Sequence, residues 1–135
     1  MMRIIGGIGT THVPSIGKAI ADGKQNDRYW SPFFRGFDYV HRWLAREKPD
    51  VAVVFSNDHG LNFFLDKLPT FAIGAATEYR NEDEGWGIPV SKSAAGDPKL
   101  SWHLINQLVD DDFDMTIFQE MLIDHAVTIP LALVG

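Results

Sequence analysis

Two histidines in this 135-residue sequence each follow a run of residues typical of a buried strand. The valine-rich residues 51–56 lead into His59, and residues 3–9 lead into His12. Because ligands bind outside the carboxyl ends of strands in open α/β sheets, we expect both histidines to meet at one sheet edge. Neutral imidazole binds iron, zinc and copper, so the pair is the candidate metal site. The alternative is that each histidine only caps its own loop.

Two Asp-His pairs, at Asp58-His59 and Asp124-His125, supply further candidate groups. Successive strand residues point to opposite faces, so neither aspartate needs to touch the histidine that follows it. We interpret both aspartates first as acceptors for backbone amides in their loops. His125 is the candidate for exchanging a proton with a bound molecule; the alternative is a hydrogen-bonded histidine at a helix N-terminus.

Of the other side chains that could have a function, one is a candidate for contact with a ligand or partner and the rest are interpreted as structural. Trp86 stands between two glycines, and an aromatic side chain in a flexible loop is suited to covering a pocket or a partner surface. The acidic run at residues 82–84 is interpreted as a solvated loop. His41 and His103 fall within predicted helices and are interpreted as structural.

The elements that must position these residues alternate between strand and helix, which predicts an α/β fold with a central sheet and flanking helices. Strands are predicted at residues 3–9, 51–56, 70–74 and 113–118. One helix is predicted from Ser31-Pro32 to residue 48, a second from Asp97-Pro98 to Asp110, and a third beginning near Asp124-His125. Residues 10–29, with a short helical turn near 18–21, and residues 78–96 are predicted loops.

Composition narrows the class of protein. The chain is 45% apolar with a formal net charge of −6, which favours one globular domain and argues against nucleic acid as the main partner. It contains no cysteine, so a metal site must use nitrogen and oxygen ligands. No apolar run approaches the ~20 residues of a membrane span, and no signal peptide is evident, so we expect a cytoplasmic protein.

The C-terminal residues 126–134 are almost wholly apolar. Domain ends are usually polar or tied down, so we expect residues 1–135 to be a single but incomplete domain. A homo-oligomer, or a complementary chain or segment, would then cover this apolar end and complete the site.

Several short stretches, in order along nearly the whole chain, resemble one family. They are residues 11–14 (THVP), 30–36 (WSPFFRG), 57–59 (NDH), 69–74 (PTFAIG), 83–87 (DEGWG), 113–116 (FDMT) and 124–125 (DH). Together they resemble the class III extradiol ring-cleavage dioxygenases, and most closely the branch that acts on protocatechuate and gallate. The resemblance implies that the chain is the N-terminal part of such a catalytic domain.

The resemblance also implies a chemistry. His12 and His59 would bind non-haem Fe(II), His125 would lie beside the substrate and O2, and the ring of a catecholic acid such as protocatechuate or gallate would be opened next to its diol. Thr11, Asp58 and Trp86 are the candidate substrate contacts. In the family a downstream glutamate completes the iron site and a downstream histidine is the acid/base; both would lie beyond Gly135, so we expect loosely held iron.

Two other functions fit the same residues. A zinc hydrolase could use the same two histidines with a metal-bound water. A metal-free binding or assembly module is the other, in which both histidines would only be loop residues.

Overall fold

The structure, a computed structural model, describes residues 2–135 and has a mixed α/β architecture. It divides into two compact units, the first made of residues 2–56, 84–89 and 125–135 and the second of residues 57–83 and 90–124. In chain order the elements are α1 (Pro14–Ala21), α2 (Ser31–Arg35), α3 (Asp38–Glu47), β1 (Phe71–Gly74), β2 (Glu78–Asn81), β3 (Ala94–Ala95), α4 (Pro98–Asp110), β4 (Met115–Phe118), β5 (Leu122–Ile123) and α5 (His125–Val134).

The first unit is helical, and α1 packs against α5 at its centre. Ile16 of α1 and Ile129 and Leu133 of α5 form the buried cluster. Gly17 permits this close approach, because a Cβ there would lie 3.0 Å from Ile88 Cγ2 and 3.2 Å from Ile129 Cδ1. Partly buried side chains surround the cluster, namely Ile20, Trp30, Phe33, Phe34, Phe37 and Ile88.

The single helix predicted from residue 31 to residue 48 is two helices, α2 and α3. Gly36 N donates to Phe33 O at 3.1 Å, and Phe37 N donates to Phe34 O at 3.0 Å. These bonds to the third residue back tighten the turn and redirect the chain at the glycine, the residue with the least helical preference after proline. Ser31 lies inside α2 and makes no capping bond.

His41 is exposed on α3, and its Nε2 lies 2.8 Å from the Leu133 carbonyl oxygen in the last turn of α5. The ring therefore donates to a carbonyl that has no partner within its own helix. This contact supports the structural interpretation of His41.

The second unit holds two small sheets where one central sheet was predicted. β1 and β4 pair in parallel, with Phe71 opposite Met115, and α4, which lies between them in sequence, packs on both strands. β2 pairs antiparallel with β3 and parallel with β5. The β1–α4–β4 arrangement retains the predicted strand–helix–strand order.

Several predicted elements are confirmed. The strands at 70–74 and 113–118 form β1 and β4, and α4 ends at Asp110 as predicted. Asp97 caps α4, because its Oδ1 accepts a hydrogen bond from Leu100 N at 3.0 Å. α5 begins at His125, as predicted.

The predictions of strands at residues 3–9 and 51–56 are wrong. Neither segment has regular secondary structure, and no described strand pairs with either. Strand residues need a neighbour for their backbone hydrogen bonds, and a strand-like composition does not supply one. Both segments are largely exposed, with Ile4 92% and Phe55 93% accessible.

Two predicted loops contain regular elements. Residues 10–29 include α1, which starts with Pro14 in its first turn and buries Ile16 and Ala19. Residues 78–96 include β2 and β3, which pair with each other, and β2 also pairs with the distant β5. In residues 2–135 no helix has the length and apolar character needed to cross a bilayer.

Candidate functional site

His12 and His125 lie together in the first unit because α1 packs on α5. His12 immediately precedes Val13, the residue that caps α1, and His125 is the first residue of α5. Their ring centroids are 5.7 Å apart, with the ring planes tilted by 55°. The two side chains thus share one end of this helix pair.

Glu84 holds His125 at two points. The backbone N–H of His125 donates to Glu84 Oε2 at 2.7 Å, and His125 Nδ1 lies 2.8 Å from Oε1. Both side chains are shielded, with 6% of the histidine and 13% of the glutamate side chain accessible. The prediction that residues 82–84 form a solvated acidic loop is therefore wrong for Glu84, although Glu82 and Asp83 are exposed.

Trp86 reaches the same histidine from the loop that carries Glu84. Its ring lies edge-on to the His125 ring at a centroid distance of 6.4 Å, and 59% of the residue is accessible. Gly85 and Gly87 on either side have φ values of +75° and +68°, which residues with a Cβ rarely adopt. These glycines allow the short loop to direct both Glu84 and Trp86 toward His125.

His59 lies in the second unit, where Asp124 holds it in a similar way. Asp124 Oδ2 accepts hydrogen bonds from His59 N at 3.1 Å and His59 Nδ1 at 3.0 Å. Asn57 Nδ2 lies 3.2 Å from His59 Nε2. Because an ionised carboxylate only accepts, Nδ1 carries the proton, and in the neutral ring the Nε2 lone pair accepts from Asn57.

Asp58 organises the loop that follows His59. Its carboxylate accepts from the backbone amides of Gly60, Leu61, Asn62 and Phe63 at 2.9–3.2 Å and from Asn62 Nδ2 at 2.8 Å. Burial raises the pKa of Asp58, but the bonds from Asn62, Phe63 and Gly60 outweigh it and leave the pKa below its ordinary value. These contacts confirm the loop-bonding interpretation of Asp58.

The two histidine–carboxylate pairs have the same plan. In each, one carboxylate accepts from the backbone N–H and the Nδ1 of the same histidine. Asp124 and His125 are consecutive residues, so one peptide bond joins the pairs covalently. Both units therefore contain histidine and carboxylate groups of the kind that hold metal ions.

The predicted site residues are distributed over the two units. His12, His125 and Trp86 lie together, and His59 lies with Asp124 in the other unit. Thr11 is exposed, and its carbonyl accepts from Thr10 Oγ1 at 3.2 Å. Metal binding by His12 and His59 and proton exchange by His125 stay predictions. Substrate contact by Thr11, Asp58 and Trp86 also stays a prediction.

Glu84 is the residue that sequence reasoning missed. Its signal was the two glycines around Trp86, which indicate a tight loop and not a solvated acidic run.

Comparison with known proteins places the whole arrangement in one family. The family model described as the catalytic LigB subunit of aromatic ring-opening dioxygenase matches residues 6–135, a range that includes His12, His59 and His125. The chain belongs to the LigB family. This confirms the resemblance to extradiol ring-cleavage dioxygenases, and the protocatechuate branch within it is not confirmed.

Curated LigB relatives are named for a different ring acid. The chain is 31% identical over 91 residues to a 2,3-dihydroxyphenylpropionate/2,3-dihydroxicinnamic acid 1,2-dioxygenase of Rhodococcus sp, covering 66% of the chain and 27% of that protein. It is 34% identical over 99 residues to a protein of the same name from Photorhabdus laumondii subsp. laumondii, covering 72% and 29%. The chain thus matches less than a third of the length of these relatives.

Proposed function

We propose that this chain acts in the extradiol cleavage of a catecholic acid by O2, with His12 and His59 supplying two ligands of one Fe(II). The observation that carries the proposal is the family match, which spans all three histidines. Two histidines and a carboxylate on one face of Fe(II) are the donor set typical of non-haem oxygenases.

The donor atoms fit an iron ligand set. Asp124 binds Nδ1 of His59 and thereby keeps the lone pair on Nε2, the atom that would bind the metal. Asn57 donates to that lone pair, so a metal that binds Nε2 would displace this hydrogen bond. Bound Fe(II) would supply coordination positions for the diol oxygens and for O2, holding both reactants together.

The carboxylates of the chain are suited to support the ligands. Glu84 and Asp124 each accept two hydrogen bonds from a histidine, and ligation would compete with those bonds. We assign them to orientation and leave the third ligand to another carboxylate.

His125 is the group we assign to proton exchange with the bound substrate or oxygen. Glu84 binds its Nδ1, so in the neutral ring Nε2 is the atom that accepts a proton. Trp86 lies edge-on to the same ring.

The substrate we propose is a vicinal diol that also carries a carboxylate. Protocatechuate and gallate have these features, and so does the 2,3-dihydroxyphenylpropionate in the names of the relatives. The common chemistry is the diol, which can bind iron through both oxygens.

Catechol-dependent oxygen uptake tests the proposal. The protein, loaded with Fe(II) under anaerobic conditions, is given protocatechuate, gallate or 2,3-dihydroxyphenylpropionate, and oxygen consumption and the ring-opened product are measured. We expect uptake with at least one acid, and its loss in His12→Ala and His59→Ala but not in His103→Ala, whose side chain is exposed on α4.

The other two functions give different results in the same experiment. Hydrolytic activity with Zn(II) and no oxygen uptake with Fe(II) would support a zinc hydrolase. No detectable binding of either metal, even in a titration to high metal concentration, would support a metal-free module.

A further inference from the structure

Glu84 makes more hydrogen bonds to His125 than capping the start of a helix requires. The N–H of the first residue of α5 needs one acceptor, and Glu84 Oε2 supplies it at 2.7 Å. The carboxylate also faces the ring, with Nδ1 lying 2.8 Å from Oε1 and 3.1 Å from Oε2. A cap alone would not need the second contact.

The two contacts together fix the protonation pattern of the ring. Ionised Glu84 has no hydrogen to donate, so His125 Nδ1 must donate to it, and the lone pair of the neutral ring must lie on Nε2. The N-terminal end of a helix also attracts a negatively charged side chain such as that of Glu84. The backbone contact holds the main chain while the ring contact sets the torsion of the side chain.

The loop is built to hold this arrangement. Glu84 and Trp86 both touch His125, and the positive φ values of Gly85 and Gly87 bring these two side chains to one histidine. Glu82, only two positions earlier, is exposed. The burial of Glu84 is therefore specific to the position that faces the histidine.

We propose that Glu84 is a positioning residue, which sets the Nδ1–H tautomer and the orientation of His125 so that Nε2 faces the reacting molecule. The inference deepens the proposed function, since it concerns the same site. Its first consequence, the tautomer, does not depend on iron or on catalysis.

Glu84→Gln discriminates positioning from charge. The amide has one oxygen, and because the backbone N–H can only donate, that oxygen accepts from the backbone while the NH2 group donates to Nδ1. We expect ring ¹⁵N shifts of His125, measured on the metal-free protein at alkaline pH, to show the Nδ1–H tautomer in the parent and a shift toward Nε2–H in the variant. Glu82→Gln removes the same charge from an exposed position and should leave the tautomer unchanged.

Activity gives the second readout. In the iron-loaded protein we expect Glu84→Gln to lower kcat by about 10–100-fold, the effect typical of losing a residue that orients a site histidine, with a much smaller change in KM. Glu84→Asp keeps the carboxylate and should recover part of kcat. If Glu84→Gln fails to fold, the tautomer in Glu84→Asp, measured in the same way, should remain Nδ1–H.

The outcomes separate this inference from the proposed function. An Nδ1–H tautomer that persists unchanged in Glu84→Gln, or an Nε2–H tautomer in the parent or Glu84→Asp, would overturn the positioning role. A parent protein with the expected tautomer and no ring cleavage would overturn the proposed function and leave the positioning geometry supported.

Discussion

Asp124 Oδ2 accepts hydrogen bonds from both the backbone N–H and the Nδ1 of His59, at 3.1 and 3.0 Å. The Asp124 side chain is only 4% accessible, whereas the His59 side chain is 31% accessible. A buried carboxylate therefore anchors the Nδ1 side of the ring, and Asn57 Nδ2 lies 3.2 Å from Nε2 on the other side. This is the arrangement in which a carboxylate orients a metal-binding histidine.

Asp124→Ala should weaken metal binding without removing a ligand. The His59 ring would lose the acceptor that fixes its tautomer and rotation, and we expect the affinity for Fe(II) to fall by about 10–100-fold. Anaerobic titration calorimetry measures this change. Asp114→Ala, at an exposed position in the same unit, is the control, and equal affinities in the two variants would contradict the role of Asp124.

Asp58→Ala should destabilise the loop after His59. The substitution removes the acceptor of four backbone amides and one side-chain amide, and we expect unfolding to become easier by about 1–3 kcal/mol. Thermal and denaturant unfolding measure it, with Asp66→Ala at an exposed position as the control. If Asp58→Ala kept full stability and lost only substrate affinity, the substrate-binding interpretation would be the better one.

Gly17→Val should disturb the packing of α1 on α5. Its Cβ would lie 3.0 Å from Ile88 Cγ2 and 3.2 Å from Ile129 Cδ1, and overpacking of this kind costs about 1–3 kcal/mol. We expect a lower melting temperature and altered ring signals of His12 and His125. Gly7→Val is the control because no atom lies within 4 Å of a Cβ placed there. A variant as stable as the parent would contradict the requirement for a glycine at this contact.

The exposed apolar segment at residues 51–55 should drive association with a second copy. Val53 is 54% and Phe55 93% accessible, and the β-branched composition favours pairing with another strand. We expect light scattering across a dilution series to show concentration-dependent association that Val53→Lys with Phe55→Lys reduces. Tyr39→Lys, at a similarly exposed position, should not reduce it. A monomer at all concentrations would contradict the prediction.

The exposed apolar surface lies at residues 51–55 and not where the sequence led us to expect it. The sequence suggested residues 126–134, yet Ala126, Ile129 and Leu133 are buried in the first unit. An apolar run does not reveal whether a neighbour such as α1 is present to cover it. Burial depends on pairing and packing between residues distant in sequence.

The elements that could be predicted are those with local causes. Asp97-Pro98 predicted the start of α4 because a cap and a first-turn proline act within one turn. The strands at residues 3–9 and 51–56 could not be judged from composition, since a strand exists only with a partner.

The candidate site could also be predicted only where its features depend on residue type and not on contacts between distant residues. The three candidate histidines stand out by residue type. The burial of Glu84 results from a loop folding back onto α5, which the flanking glycines signal only indirectly. The partner of each histidine became evident only from the hydrogen bonds.

The central claim is that His12 and His59 bind one metal ion. Titration of the protein with Fe(II) under anaerobic conditions, followed by paramagnetic broadening of the histidine ring signals, tests it directly and also detects weak binding. We predict that the signals of His12 and His59 broaden together along one titration curve, that either His→Ala variant abolishes the broadening of the other, and that the exposed His103 is unaffected. Broadening of His12 and His59 at different Fe(II) concentrations, or of neither, would contradict the account.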